Sequence, residues 1–215
     1  MKIKGAIFDL DGTVLDSMYV WRGAGYNYLL SKGKSPDKEL YMTLKPLSLL
    51  QSIAYFRKNY GITDDDEKAL ADILAIVEDE YTQKVGLKSG VAAFLRQLHE
   101  SGVKMCIATA SDRDMVRRAL MRNGIYQYFE NILTCTEVGH GKDEPDIYLA
   151  ALELLGTPKD ETWVFEDAAH AAGTAKNAGF HVCAVYDSCE TEQEKLKKLA
   201  DVFFETLEKA GDFFA

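Results

Sequence analysis

Apolar and polar positions alternate along this chain in two distinct ways. Short β-rich runs fall at residues 3–8 ("IKGAIF"), 103–108 ("VKMCIA"), 131–135 ("NILTC"), 162–165 ("TWVF") and 181–186 ("HVCAVY"). Between them lie amphipathic helical stretches at 90–100, 112–123, 145–155 and 168–178. Strand followed by helix, repeated along the chain, predicts an α/β fold built on a doubly wound parallel sheet. The alternation breaks at residues 16–86, where no convincing strand occurs. That segment reads as helices only, among them "MYVWRGAGYNYLL", "LSLLQSIAYFRKNY" and "DDDEKALADILAIVEDEY", punctuated by Pro36 and Pro46. "TDDD" ahead of "EKAL" reads as an acidic N-cap. The expected organisation is a core of residues 1–15 and 87–215 with a small α-helical domain, 16–86, inserted after the first strand.

Composition narrows the function. A chain of 215 residues, 47% of them hydrophobic, can bury a sizeable core. Its formal net charge of −9 argues against a nucleic-acid partner, because backbone binders carry a basic surface. No apolar run approaches the ~18 residues of a membrane span, and no signal peptide precedes the first strand, so the cytoplasm is the expected compartment. The four cysteines form no CxxC pair, and those in strands are expected to be buried free thiols. No partner subunit can be read from the sequence, and a monomer is the default.

The chemistry gathers where the strands end. Asp9 and Asp11 follow "AIF", Thr109 and Ser111 follow "CIA", and Glu166 and Asp167 follow "WVF", while Lys142 follows "NILTC" by a short loop. Ligands of open α/β sheets sit beyond these carboxyl ends. Taken singly, each residue has a plain explanation: Asp-x-Asp-Gly can be a turn, Thr109 or the Glu166-Asp167 pair a helix cap, Lys142 a solvated charge. Four strand ends carrying such residues together indicate one site. Acids at this density repel unless a divalent cation lies among them, and a lysine with a hydroxyl suits a phosphate.

In order along the chain, "DLDGT" (9–13), "ATAS" (108–111), "GKDEPDIY" (141–148) and "FEDAAHAAGTAKNAG" (165–179) resemble the motifs of the haloacid dehalogenase superfamily. The resemblance covers nearly the whole chain and points to the branch with a helical cap, the group of phosphoglycolate-type phosphatases and beta-phosphoglucomutases. It implies a Rossmannoid core, with Asp9 as nucleophile and Asp11 as general acid/base. It implies further that Thr109, Ala110 and Lys142 hold the phosphoryl group. Asp9, the carbonyl of Asp11 and Asp167 would bind Mg2+, with Glu166 beside them as a ligand or through water. The implied partner is a small phosphorylated substrate such as a sugar phosphate.

The sequence also departs from the family. Ala168 and Ala171 stand where a serine and a glycine are usual, and Asp143 replaces the proline after the lysine. The mutase subgroup has a histidine early in its first cap helix and an arginine in the cap, and the corresponding positions here are Trp21 and Leu49. A phosphatase is therefore expected ahead of a phosphosugar mutase. A receiver domain and a non-catalytic metal- or phosphate-binding module are the readings from other classes. His140 and His170 are expected on the surface, and Trp21, Tyr26 and Tyr28 in packing. The end of the chain, "FFETLEKAGDFFA", is expected to dock on the core.

Overall fold

The computed structural model describes residues 3–44, 47 and 49–214, so Pro46 lies outside the described residues. The strands are β1 (Gly5–Phe8), β2 (Lys104–Thr109), β3 (Ile132–Thr134), β4 (Thr162–Glu166), β5 (His181–Val185) and β6 (Val202–Phe204). The helices preceding β2 are α1 (Met18–Ser31), α2 (Leu40–Leu44), α3 (Leu49–Tyr60), α4 (Asp66–Gln83) and α5 (Val91–Glu100). After β2 come α6 (Arg113–Arg122), α7 (Cys135–Val138), α8 (Asp146–Leu155), α9 (Ala169–Asn177), α10 (Gln193–Leu199) and α11 (Ala210–Phe214). The chain divides into two compact units, Met1–Asp16 with Val85–Ala215, and Ser17–Lys84.

In the first unit all strands pair in parallel in the order β3-β2-β1-β4-β5-β6. Both faces of the sheet are covered, and β1 and β4 are accordingly buried at every position. On one face Phe8 stacks on Phe165 with ring centroids 4.3 Å apart, and Phe94 and Phe129 meet Phe8 edge-on. Phe214 closes this cluster against Trp163, Phe165 and Phe94, so the end of the chain does dock on the core. On the other face Ile7, Ala108 and Val164 pack with Ile147, Tyr148 and Ala151 of α8 and with Ala169, Ala172 and Ala175 of α9. Cys106 and Cys183 lie buried in β2 and β5, and all four cysteines are free.

One strand escaped the sequence reading. Val202–Phe204 pairs with β5 as an edge strand, whereas Phe203 and Phe204 are expected only as part of a docking terminus. The run is three residues long, half-buried throughout and bounded by charged segments, too short for a period-two signal to register.

The second unit contains only helices among its described residues. α1 and α4 form its main pairing, burying Tyr28, Leu29, Ile73 and Val77. Asp65 caps α4 as the acidic run suggested, its carboxylate accepting from the Lys68 N–H at 2.8 Å. Lys32 ties α1 to Asp64 at 2.6 Å and to Asp72 at 2.7 Å. Trp21 donates from Nε1 to the Tyr81 hydroxyl at 2.8 Å, which assigns it the packing role. Trp21 and Leu49 also line a cavity of about 280 Å³ in this unit, with Phe56, Leu44 and Met18.

Candidate active site

Strand register brings the acids together. Phe8 is abreast of Phe165 in the sheet, so the next residues, Asp9 and Glu166, emerge at one level from adjacent strands. This is the place where successive connections leave the sheet on opposite sides of β1, the crevice in which ligands of such folds bind. The Asp9 N–H bonds to the Phe165 carbonyl at 2.9 Å, continuing the ladder one residue past the strand. The chain then turns sharply, with Leu15 N–H bonding to the Leu10 carbonyl at 2.8 Å and Gly12 N–H to the Leu15 carbonyl at 2.9 Å. Gly12 has φ +94°, a left-handed conformation that a side chain would strain, which accounts for glycine directly after the second aspartate.

Asp9, Glu166 and Asp167 are all buried, and one carboxylate oxygen from each lies within 4.8 Å of the others. Lys142, also buried, reaches this group: its ammonium contacts Asp9 Oδ1 and lies 2.7 Å from Glu166 Oε1. Asp9 Oδ2 is buried with no hydrogen-bond partner. Such an orphan acceptor is costly unless something electropositive completes it. Thr13 donates to Asp167 Oδ1 at 3.3 Å. Asp11 is half-buried, and its carboxylate is bound instead by the Ser111 hydroxyl at 2.6 Å, apart from the three clustered acids. Thr109 is buried and accepts the Ser111 N–H at 3.0 Å, while Ala110 between them is exposed. His140 and His170 are exposed, as expected.

Burial and mutual repulsion set the protonation of the cluster. Burial pushes the Asp9 carboxyl up to about 6, against the pull of the Lys142 charge and with the push of Glu166. Asp167 is raised well above the carboxylate range by burial, then by the charges of Asp9, Glu166 and Asp187. For Lys142, burial disfavours the ammonium, but Asp9 and Glu166 outweigh it and hold the charge firmly. A folded protein that retains the Asp9 proton where the unfolded chain has lost it becomes less stable as pH rises from about 4 to about 6. Urea denaturation of metal-free wild type and Asp9→Asn should therefore show a stability difference that shifts against the wild type by roughly 2–3 kcal/mol across that window. Above about pH 7 the difference should be constant. A difference independent of pH throughout would contradict the assignment.

Three neighbours of the cluster went unassigned in the sequence. Tyr148, quoted in "GKDEPDIY" without a role, is buried in the first turn of α8 and donates to Glu166 Oε1 at 2.9 Å, the oxygen that Lys142 also holds. Asp187 follows β5, so the strand-end rule that found the other acids also marks it. It is buried, paired with Lys88 at 2.8 Å, and adds negative charge toward Asp167. Glu190 had no signal at all. At Ala168, the N-cap position of α9, no side chain can accept a hydrogen bond, and Glu190 Oε2 accepts the Ala169 N–H at 2.8 Å instead. Ala171, the other departure, is buried in the first turn of the same helix.

The family model of haloacid dehalogenase-like hydrolases matches residues 6–185. The chain belongs to this family. Among curated relatives of this hydrolase, Protein CbbY of Rhodobacter capsulatus is 32% identical over 193 residues, covering 85% of each chain. Hexitol phosphatase A of Escherichia coli is 30% identical over 191 residues, covering 89% of this chain and 87% of its own. The crystal structure of CbbY from Rhodobacter sphaeroides in complex with phosphate superposes with a TM-score of 0.75 at 21% identity, covering 97% of this chain and 98% of the other. That likeness confirms the fold of the hydrolase. Among its described residues no helix is long and apolar enough to cross a membrane.

Proposed function

We propose that this hydrolase is a cytoplasmic, magnesium-dependent phosphatase that cleaves a small phosphorylated metabolite of the sugar-phosphate class through an aspartyl-phosphate on Asp9. The observation that carries the reading is the Asp9 carboxylate itself, with Oδ1 on Lys142 and Oδ2 buried without a partner beside Glu166 and Asp167. A donor set of hard carboxylate oxygens with an orphaned acceptor fits Mg2+, which Asp9, Asp167, the Asp11 carbonyl and Glu166 would hold. Bound there, the ion would neutralise phosphoryl charge.

The chain's own residues account for the remaining chemistry. Lys142 and Thr109 bind the phosphoryl oxygens, and the Lys142 charge lets an anionic nucleophile approach an anionic ester. An Asp9 oxygen bonds to phosphorus while the bond to the leaving oxygen breaks, and protonated Asp11 gives its proton to that oxygen. Asp11 then takes a proton from water. The resulting hydroxide bonds to phosphorus, the phosphorus–Asp9 bond breaks, and inorganic phosphate and free Asp9 remain. Ser111 orients Asp11 for both transfers through its hydrogen bond. A hexitol phosphatase among the relatives favours a polyol or sugar phosphate as substrate. Trp21 and Leu49 supply no basic group at the two cap positions where the mutase subgroup carries a histidine and an arginine, although Arg22 lines the same cavity.

The test is phosphate release from a panel of phosphorylated sugars and polyols, with and without magnesium, alongside Asp11→Asn. Turnover should require magnesium. Asp11→Asn should lower kcat by about 10²–10⁴-fold, the range for loss of a general acid/base. Isomerisation without phosphate release would establish the mutase, and magnesium binding without turnover on any substrate would establish the binding module.

A further inference from the structure

We propose that Glu190 is the positioning residue for Asp167, acting as a long-range N-cap of α9 in place of the side chain that Ala168 lacks. The proposal rests on the reading of Asp167 as a metal ligand. A helix exposes unpaired N–H groups in its first turn, and Ser, Thr, Asp or Asn at the N-cap normally accepts one of them. Here the Ala168 carbonyl accepts the first intrahelical bond, from Ala172 N–H at 2.9 Å, but its methyl group can accept nothing. This helix start directly follows Asp167, whose carboxylate stands among other buried acids. A fraying first turn would carry Asp167 with it, and repulsion from Asp9 and Glu166 would drive it outward.

Glu190 prevents this from a different loop, the one leaving β5. Both of its carboxylate oxygens are committed: Oε2 accepts from Ala169 N–H at 2.8 Å and Oε1 accepts from Glu192 N–H at 2.6 Å. Its backbone is fixed by a turn in which Glu190 N–H bonds to the Asp187 carbonyl at 3.2 Å. Gln193 Nε2 donates to the same carbonyl at 2.6 Å. The Asp187 side chain is in turn anchored on Lys88. The cap thus comes from a rigid turn rather than from a free side chain, and its negative charge also suits the positive end of the helix dipole.

A local cap should replace the distant one, and that exchange is the experiment. Wild type, Glu190→Ala, Glu190→Gln, Ala168→Ser and the double variant Glu190→Ala/Ala168→Ser are compared as the whole chain of 215 residues. Amide exchange is followed without metal at Ala169, the amide that Glu190 holds, and at His170 and Ala171, the amides that a serine cap would reach, with magnesium affinity by calorimetry and kcat and KM by phosphate release. Glu190→Ala should speed exchange at Ala169, weaken magnesium binding about tenfold, as for a lost outer-shell partner, and lower kcat with little change in KM. Glu190→Gln keeps an acceptor and should retain most of the affinity. The double variant should recover affinity and kcat to within about threefold of wild type. Unchanged exchange in Glu190→Ala would overturn the cap. Protection gained at His170 and Ala171 without recovered magnesium affinity in the double variant would overturn the positioning of Asp167. A wild type that binds no magnesium would remove this role together with the metal reading, and exchange at Ala169 separates that failure from failure of the cap.

Discussion

Asp9→Asn should reduce phosphate release by about 10⁴-fold or more while the fold is kept. Removing a covalent nucleophile costs on that scale because the remaining site can bind and polarise the ester but cannot divide the reaction into two easier steps. The substitution preserves shape, and an amide oxygen can still accept from Lys142 where Asp9 Oδ1 does. Circular dichroism and denaturation should therefore report a folded protein, which separates lost chemistry from lost structure. Variants at Asp9 that retained turnover within tenfold of wild type would force the nucleophile to be sought elsewhere.

Lys142→Met should act on both activity and stability. The expected loss of rate is about 10³-fold, since on the proposed mechanism Lys142 supplies the charge that binds the phosphoryl oxygens. Without metal, the variant also leaves Asp9, Glu166 and Asp167 clustered with no cation, and breaking a buried ion pair from one side costs about 3–5 kcal/mol. Protonation of Asp9, which burial already favours, relieves part of that cost. The destabilisation should therefore be smaller at about pH 5 than at about pH 8, because Asp9 takes up its proton more readily at the lower value. Urea melts at the two pH values, with and without magnesium, check the sign. Equal destabilisation at both would mean that Lys142 contributes by packing rather than by charge.

The parts of this molecule that sequence made legible are those where periodicity and residue chemistry agree. β1 and β4 are continuous apolar runs because both sheet faces are covered, and each ends in acids because the carboxyl edge is where a ligand is met. Asp65 could be read as a cap because it lies within three residues of the amide that it binds. What stayed hidden depends on contacts between distant segments. Tyr148 reaches Glu166 only because α8 packs against β2 and β1 beside it, and Glu190 reaches Ala169 from the loop after the neighbouring strand β5. β6 is an edge strand of three residues, whose existence is decided by pairing with β5 rather than by its own composition. Asp187 alone was within reach, since the rule that selected Asp9 and Glu166 applies equally to the end of β5.

The central position of β1 bears on how the protein is made. The strand that carries Asp9 is synthesised before both its neighbours, which begin only at Lys104 and Thr162. Emerging from the ribosome, it must wait for about 150 further residues before both its edges can pair, an interval of ~10–30 s at ordinary elongation rates. The helical unit between them, whose contacts are local, can form during that interval. Nascent chains arrested before residue 162 should thus contain folded helices and a protease-sensitive β1, an apolar segment that a chaperone can recognise. Asp9 is synthesised well before the strand that carries it can be placed.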